Sequence, residues 1–346
     1  MAKTKYQTEY LFDSFGRMVQ MTYPDGEVLY YGYDNGGLLK EAYGMKRQNK
    51  YPYVKSLKYD EYGQRTAITY GNNVATTYTY DSTTRRLSAL RSIEPTKGRV
   101  IQDISYSYDL VGNIMTLGNM APVPQGGEIG GETVHNYTYD DLYQLTTANG
   151  YHLPAPNKKT TYTNSFDYDI IGNITRKFQT HLIVGQTSSQ EPRETNYDMA
   201  YSYTGSQPHA VTKAGDKLYT YDLNGNMTGW TSTTSNATRT IVWNEENRVK
   251  QVIDSGNGTS FLYDDSGERV VKGGGGNETV YINRFYALKN GDLGSKHIFA
   301  GETRVVTKLE KDGGSITSGA PGSTALIVSQ GIQNAILQGN GQKKGI

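Results

Sequence analysis

The sequence predicts an all-β protein made of repeated β-hairpins, and three observations carry that expectation. A short phrase of aromatic, aspartate, two free positions and glycine recurs as "LFDSFG" at 11, "GYDNGG" at 32, "KYDEYG" at 58, "SYDLVG" at 107, "DYDIIG" at 167, "TYDLNG" at 220 and "LYDDSG" at 262. Aromatics alternate just ahead of the aspartate, as in Tyr31/Tyr33, Tyr78/Tyr80, Tyr106/Tyr108, Tyr137/Tyr139, Phe166/Tyr168, Tyr219/Tyr221 and Phe261/Tyr263. Tyrosine (30) far outnumbers phenylalanine (7) and tryptophan (2), and glycine reaches 40. Tyrosine suits half-buried pleated surfaces and glycine suits tight turns.

The alternation at period two places each aromatic pair on one face of a strand. The aspartate then opens a turn, because its side chain can accept a hydrogen bond from the backbone two residues on, and the glycine tolerates positive φ. Together they predict hairpins with a type I turn and a glycine bulge. The expected structural turn residues are Asp13 with Gly16, Asp34 with Gly37, Asp60 with Gly63, Asp109 with Gly112, Asp169 with Gly172, Asp222 with Gly225, and Asp264 with Gly267. Weaker copies sit at Asp81, Asp140 and Asp198, and at Asn244 with Asn247 in place of the glycine, so that successive copies lie 20 to 31 residues apart. A catalytic carboxylate is needed once or twice per chain, so seven full copies argue for architecture.

The repeat extends over residues 1–310, which read as one repeat region. The stretches 118–132 and 151–160, rich in Pro, Gly and polar residues, read as insertions at hairpin ends because the repeat resumes after each. Residues 311–346 change character and read as a flexible or weakly helical tail, with Ala325, Val328, Ile332, Ala335 and Ile336 at helical spacing. Two strands per repeat give about twenty strands at a spacing of about 4.8 Å, a sheet on the order of 100 Å wide. Such a sheet must curl, and rolled up it exceeds the size that side chains alone can fill, so a large curved sheet around a hollow is expected. A propeller would need blades of about 40 to 45 residues, twice the observed period.

Composition narrows the function classes. Lysine plus arginine number 35 against 34 acidic residues, so the net charge of +1 gives no electrostatic reason to expect nucleic acid or an anionic membrane as partner. The absence of cysteine removes disulfides and thiolate metal sites. No segment has the length and apolarity of a signal peptide or membrane span. The histidines His135, His152, His181, His209 and His297 are dispersed without metal-ligand spacing. The run "KGGGGNET" at 272–279 lacks the ending of a phosphate loop and reads as a hairpin tip, and the carboxylate pairs Asp140/Asp141 and Asp264/Asp265 fall at repeat turns. No catalytic, cofactor-binding or metal residue is expected. The acceptor pattern for glycosylation at Asn136, Asn173, Asn226, Asn236, Asn257 and Asn277 arises in several copies from the repeat itself.

The Tyr-Asp-x-x-Gly phrase at this period, together with "YTYDDLYQLTTANG", "PHAVTKAGDKLYTYDLNGNMT", "VWNEENRVKQV" and "KHIFAGETRVVTKL", resembles the RHS, or YD, repeat family over about residues 6–310. The resemblance is to the shell region of bacterial insecticidal toxin complexes, polymorphic toxins and animal teneurins. It implies hairpins winding as a hollow spiral shell around a toxic C-terminal polypeptide, with no enzymatic activity in the shell itself. The "DHLGS"-type and "DPxGxxD"-type phrases that close the repeats in that family are absent from this sequence. The expected partners are therefore flanking shell segments and an enclosed polypeptide cargo missing from this chain, within a larger secreted or cell-surface bacterial protein. The competing reading is a carbohydrate- or cell-surface-binding module, since short Tyr-rich repeats also occur in cell-wall binders and "TGW" at 228–230 is similar to them.

Overall fold

A computed structural model describes residues 6–123, 130–185, 189–190 and 195–311. The expected tail at 311–346 therefore lies almost wholly outside the described residues, as does the middle of the 118–132 stretch. The described chain is all-β, with twenty-seven strands and no helix. The ladders between them are antiparallel and join strands adjacent in sequence, as the hairpin phrase requires. One strand, Ile174–Val184, pairs with both the two-residue strand Ser189–Gln190 and the following strand Tyr197–Ser202.

The strands exceed the twenty or so that the repeat count implies because the two-residue strand Ser189–Gln190 is inserted within one repeat and because the meander continues beyond the last full phrase, through Asn277–Asn283, Tyr286–Lys289, Leu293–Ala300 and Thr303–Lys311. The first repeat turns back at "YPDG", 23–26, where Gly26 N donates to the Tyr23 carbonyl at 2.9 Å and Met18–Thr22 is joined to Val28–Tyr33.

The chain divides into two compact units. One contains residues 6–57, 70–72 and 219–311, the other residues 58–69 and 73–218 so far as they are described. In the second unit the period-two pattern separates two kinds of face. Tyr106 and Tyr108, Tyr137 and Tyr139, and Phe166 and Tyr168 are buried or half-buried, whereas Ser105, Ser107, Asn136, Thr138 and Asp167 between them are exposed. Ile104, Leu117, Tyr137 and Ala148 form a buried cluster, against which Leu90, Tyr106, Tyr139 and Tyr162 pack. The exposed face is hydroxyl-rich, and Thr138 Oγ1 lies 2.9 Å from Thr146 Oγ1 and 2.6 Å from Thr147 Oγ1.

The long hairpin Leu145–Ala155 with Lys158–Tyr168 shows what the 151–160 stretch does. It extends both strands to 11 residues and places its turn at Pro156–Asn157, away from the aspartate turns.

The tyrosine just before six of the aspartates has a second role that spacing alone did not reveal. Its hydroxyl donates to a backbone carbonyl of the preceding repeat, at the start of the strand that leaves the preceding turn. Tyr33 reaches Met18 (2.8 Å), Tyr80 reaches Arg65 (2.9 Å), Tyr108 reaches Leu87 (2.7 Å), Tyr139 reaches Ile114 (2.9 Å), Tyr168 reaches Leu145 (2.8 Å) and Tyr263 reaches Val249 (2.9 Å). Where tryptophan stands in for tyrosine, Trp243 Nε1 makes the same bond to Met227 at 2.8 Å. Phenylalanine could fill the space but not make the tie.

This division of labour between the two aromatics of a pair is testable. Tyr137 is 7% exposed and its hydroxyl has no hydrogen-bond partner among the described residues, while the Tyr139 hydroxyl is tied. Tyr139→Phe should lower unfolding stability by about 1 kcal/mol, whereas Tyr137→Phe should lower it by far less or not at all. Denaturant melts of both variants check this; equal losses would remove the distinction.

Candidate functional sites: the repeat turns and a buried charge cluster

The turn aspartates are held by shape. In the Asp222 copy, Oδ1 accepts from Asn224 N (3.0 Å) and Asn226 N (2.8 Å), the Gly225 N–H reaches the Asp222 carbonyl (3.2 Å), and Gly225 has φ +87°. Asp13, Asp60 and Asp169 likewise accept from the amides two and four residues on, Asp109 accepts those and Gly112 N, and Asp34 and Asp264 accept from the amide four on. Gly16, Gly37, Gly63, Gly112, Gly172 and Gly267 share the left-handed φ of Gly225. Several of these hairpins carry a register shift beside the aromatic, as at Leu11/Phe12, Gly32/Tyr33 and Asp167/Tyr168.

The sequence phrase omitted a further member. In four of the seven full copies the residue after the glycine clasps the second carboxylate oxygen: Arg17 Nε at 2.7 Å, Asn113 Nδ2 at 2.8 Å, Asn173 Nδ2 at 2.9 Å and Asn226 Nδ2 at 3.0 Å. The Asn226 clasp, followed by backbone amides, holds the Asp222 carboxyl below the usual range. At Asn244 a neutral amide does the same work, with Oδ1 accepting from Glu246 N and Arg248 N. An amide in that position shows that the turn needs an acceptor, not a proton carrier.

One weaker copy sits elsewhere. Asp198 lies in mid-strand, paired to Arg176 at 2.7 Å, and the residue at the turn position is Thr204, six residues on. Tyr203 supplies the tie, to Ile174 at 3.0 Å, and the Thr204 amide is met by Thr212 Oγ1 at 3.1 Å. A longer loop takes the place of the compact turn, so the phrase that looked right was the wrong one.

Four of the five histidines each face a different hydroxyl or amide, while His152 lies near enough to His135 that its charge adds to burial in lowering His135. His135 Nδ1 faces Tyr162 Oη (2.7 Å), His181 faces Thr195 Oγ1 (2.7 Å), His209 faces Asn173 Oδ1 (2.8 Å) and His297 faces Thr307 Oγ1 (3.3 Å). The glycine run forms a hairpin tip, with Gly274 opposite Asn277 and positive φ at Gly275 and Gly276.

A concentrated polar site in the first unit was not foreseen. Lys296 is 0% exposed, as is Glu27. Lys296 Nζ lies 2.6 Å from Asp25 Oδ2 and 2.8 Å from Glu310 Oε2, and also bonds Glu27. Lys46 bridges Asp25 (3.0 Å) and Glu310 (2.7 Å), Lys308 pairs with Glu27 at 2.9 Å, and the Tyr53 hydroxyl donates to Glu27. Three carboxylates face three ammonium groups, so the cluster is neutral without a metal. The carboxylates Asp25, Glu27 and Glu310 are close enough to share a cation, but the Lys296 ammonium already occupies that role. Burial pushes Asp25 up, but Lys296, then Lys46, outweigh it and hold it at about 2. Burial pushes Lys296 down, and Glu27 and Asp25 outweigh that, leaving it above an ordinary lysine. The sequence did carry a signal: Leu293–Ala300 buries every second residue, and a lysine stands among Gly294, Ile298 and Ala300 at a position that should be apolar.

Comparisons with known proteins bear on the whole chain. The Teneurin YD-shell family profile matches residues 2–285. Toxin subunit YenC1 of Yersinia entomophaga is 33% identical over 183 residues, covering 47% of this chain and 19% of the relative. Toxin subunit YenC2 of the same organism is 29% identical over 200 residues, 51% of this chain and 21% of the relative. The chain thus spans about a fifth of the length of these relatives. Among solved structures, TcdB2-TccC3-TEV superposes with a TM-score of 0.69 at 23% identity, over 91% of this chain and 16% of that one. The Photorhabdus luminescens Tc holotoxin pore gives 0.60 at 21% identity, over 91% and 16%. At such identities the likeness is one of fold.

Two outcomes follow from the turn and from a half-buried histidine. Gly225→Val should cost about 1 to 3 kcal/mol by forcing a β-branched residue to positive φ. Asp222→Ala should lower the melting midpoint and Asp222→Asn should largely keep it, as Asn244 does; equal midpoints for all three variants would refute the turn role. Burial, helped by Arg304, depresses His297 to about 4. The unfolded chain then binds a proton between pH 6.5 and 4 that the folded chain does not, so stability should fall as pH is lowered through that window. The Asp25 carboxyl, held at about 2, stays charged there. Urea melts at pH 7 and 4.5 should show the loss, and His297→Gln should reduce it.

Proposed function

Because the chain belongs to the Teneurin YD-shell family, we propose that it is a non-enzymatic shell segment that, with further shell on either side, encloses a polypeptide. The observation that carries this reading is the tyrosine-to-carbonyl tie, repeated from one hairpin to the next. It fixes one repeat to the next and engages the hydroxyl of the second aromatic of a pair in structure. The turn residues Asp13, Asp34, Asp60, Asp109, Asp169, Asp222 and Asp264, with their glycines, serve the same architecture in this reading.

The absence of enzymatic activity is part of the proposal. It is supported by His135, His181, His209 and His297, each of which faces a different hydroxyl or amide. It is supported too by turn carboxylates whose oxygens accept backbone amides of their own turns, a structural use of the group. The fold shared with Tc toxin structures, and similarity to toxin subunits of Yersinia entomophaga, support a shell role in a toxin-like assembly.

Limited proteolysis of the full-length polypeptide containing this segment tests the container. The part that follows the shell should resist proteinase K while the shell is folded, and become digestible when Gly225→Val and Tyr139→Phe are combined to loosen the repeats. Digestion of that part at the same rate in both cases would defeat the reading.

A further inference from the structure

We propose that the buried charge cluster is a register lock, which selects one docking position between the first hairpins of the chain and its last strands. This inference is independent of whether a cargo is enclosed. Within the first unit, Met18–Thr22 and Val28–Tyr33 pair with each other, and Leu293–Ala300 pairs with its own neighbours on either side. These two regions are about 270 residues apart and meet through side chains. The Tyr23 hydroxyl donates to the His297 carbonyl at 3.0 Å, Asn283 Nδ2 donates to Thr8 Oγ1 at 2.9 Å, and the rings of Tyr23 and Tyr286 are centred 6.5 Å apart.

Docking one repeat on another is degenerate in principle, because each hairpin offers a surface like that of its neighbours. A backbone ladder would fix the register, but side-chain packing of similar aromatic faces would not. The cluster removes the degeneracy. Around Lys296, the other buried positions of the C-terminal strands include Tyr286, Leu288, Ile298, Ala300, Val305 and Val306, all uncharged. A hairpin displaced by one strand pair would bring Asp25 and Glu27 against such side chains, cut the fully buried Glu27 off from both Lys296 and Lys308, and leave Lys296 with Glu310 alone. Breaking a buried ion pair in that way is heavily penalised, whereas replacing the whole pair by apolar groups of similar volume is often neutral. Six charges balanced three against three therefore add little stability that an apolar patch could not supply. They do penalise every position but one.

The absence of cysteine from the chain gives a clean test. Thr8→Cys with Asn283→Cys places two thiols where the side chains already touch, and disulfide yield on oxidation reports the docked register. Hydrogen exchange of residues 18–31 and 286–298 reports it independently. In this background, Lys296→Met should lower the yield several-fold, since Glu27 then keeps only Lys308 and Tyr53. The triple variant Glu27→Leu, Tyr53→Phe, Lys296→Met removes one charge of each sign and the hydroxyl that would lose its acceptor. It should keep the melting midpoint of its parent but give a lower disulfide yield and faster exchange in both segments. A triple variant with the parent's yield and exchange pattern would show that apolar packing sets the register and would overturn the proposal. A triple variant that fails to fold would overturn it as well, by showing that the charges carry stability instead of position.

Discussion

The hydrogen bond from a tyrosine hydroxyl to the carbonyl at the start of the preceding repeat's outgoing strand is the constraint on which the rest of the architecture depends. It is independent of hairpin length. Repeats vary from 20 to 31 residues, yet Tyr80, Tyr108, Tyr139 and Tyr168 all reach the same place in the repeat before them. The variation must then appear at the other end of the hairpins. The 11-residue strands Leu145–Ala155 and Lys158–Tyr168 grow away from the aspartate turns, and the stretch 120–132 separates Ile114–Asn119 from Thr133–Tyr139 at the same end. One end of the sheet is regular because it is tied, and the other is free to diversify.

The turn that precedes each tie has a matching logic. A carboxylate that accepts two backbone amides and is clasped by the residue after the glycine fixes where the outgoing strand begins, and so where the carbonyl for the next tyrosine will lie. The aspartate and the tyrosine are thus two halves of one device, one in each repeat. That coupling accounts for why the phrase is read as a unit, and why Trp243, which keeps an N–H donor, can replace the tyrosine.

The fold was legible in the sequence because it is encoded locally and many times over: an alternation, a turn acceptor and a glycine within six residues. The Asp198 phrase misled because a matching dipeptide is cheap to find by chance in a tyrosine-rich chain. The residue that makes the tie, Tyr203, is followed by Thr204 with no aspartate at all. The buried cluster was illegible for a different reason. Asp25, Lys46, Lys296 and Glu310 come from distant parts of the chain, and nothing local announces that they meet. Only Lys296, placed in an otherwise buried alternation, was out of character with its own strand.

The choice of tyrosine also answers how a chain with only 36% hydrophobic residues and a mean hydropathy of -0.64 can hold so many strands together. A tyrosine ring buries on the order of 150 to 250 Å² and so supplies core area that hydropathy scales discount because of the hydroxyl. In water that hydroxyl costs nothing; in a core it costs free energy unless bonded. Here the second tyrosine of six of the seven pairs spends its hydroxyl on a carbonyl at the start of the preceding repeat's outgoing strand. The apolar ring packs and the polar tip links repeats, so a single residue type provides both the core and its connections, and the sheet needs no second layer of aliphatic residues to be specified.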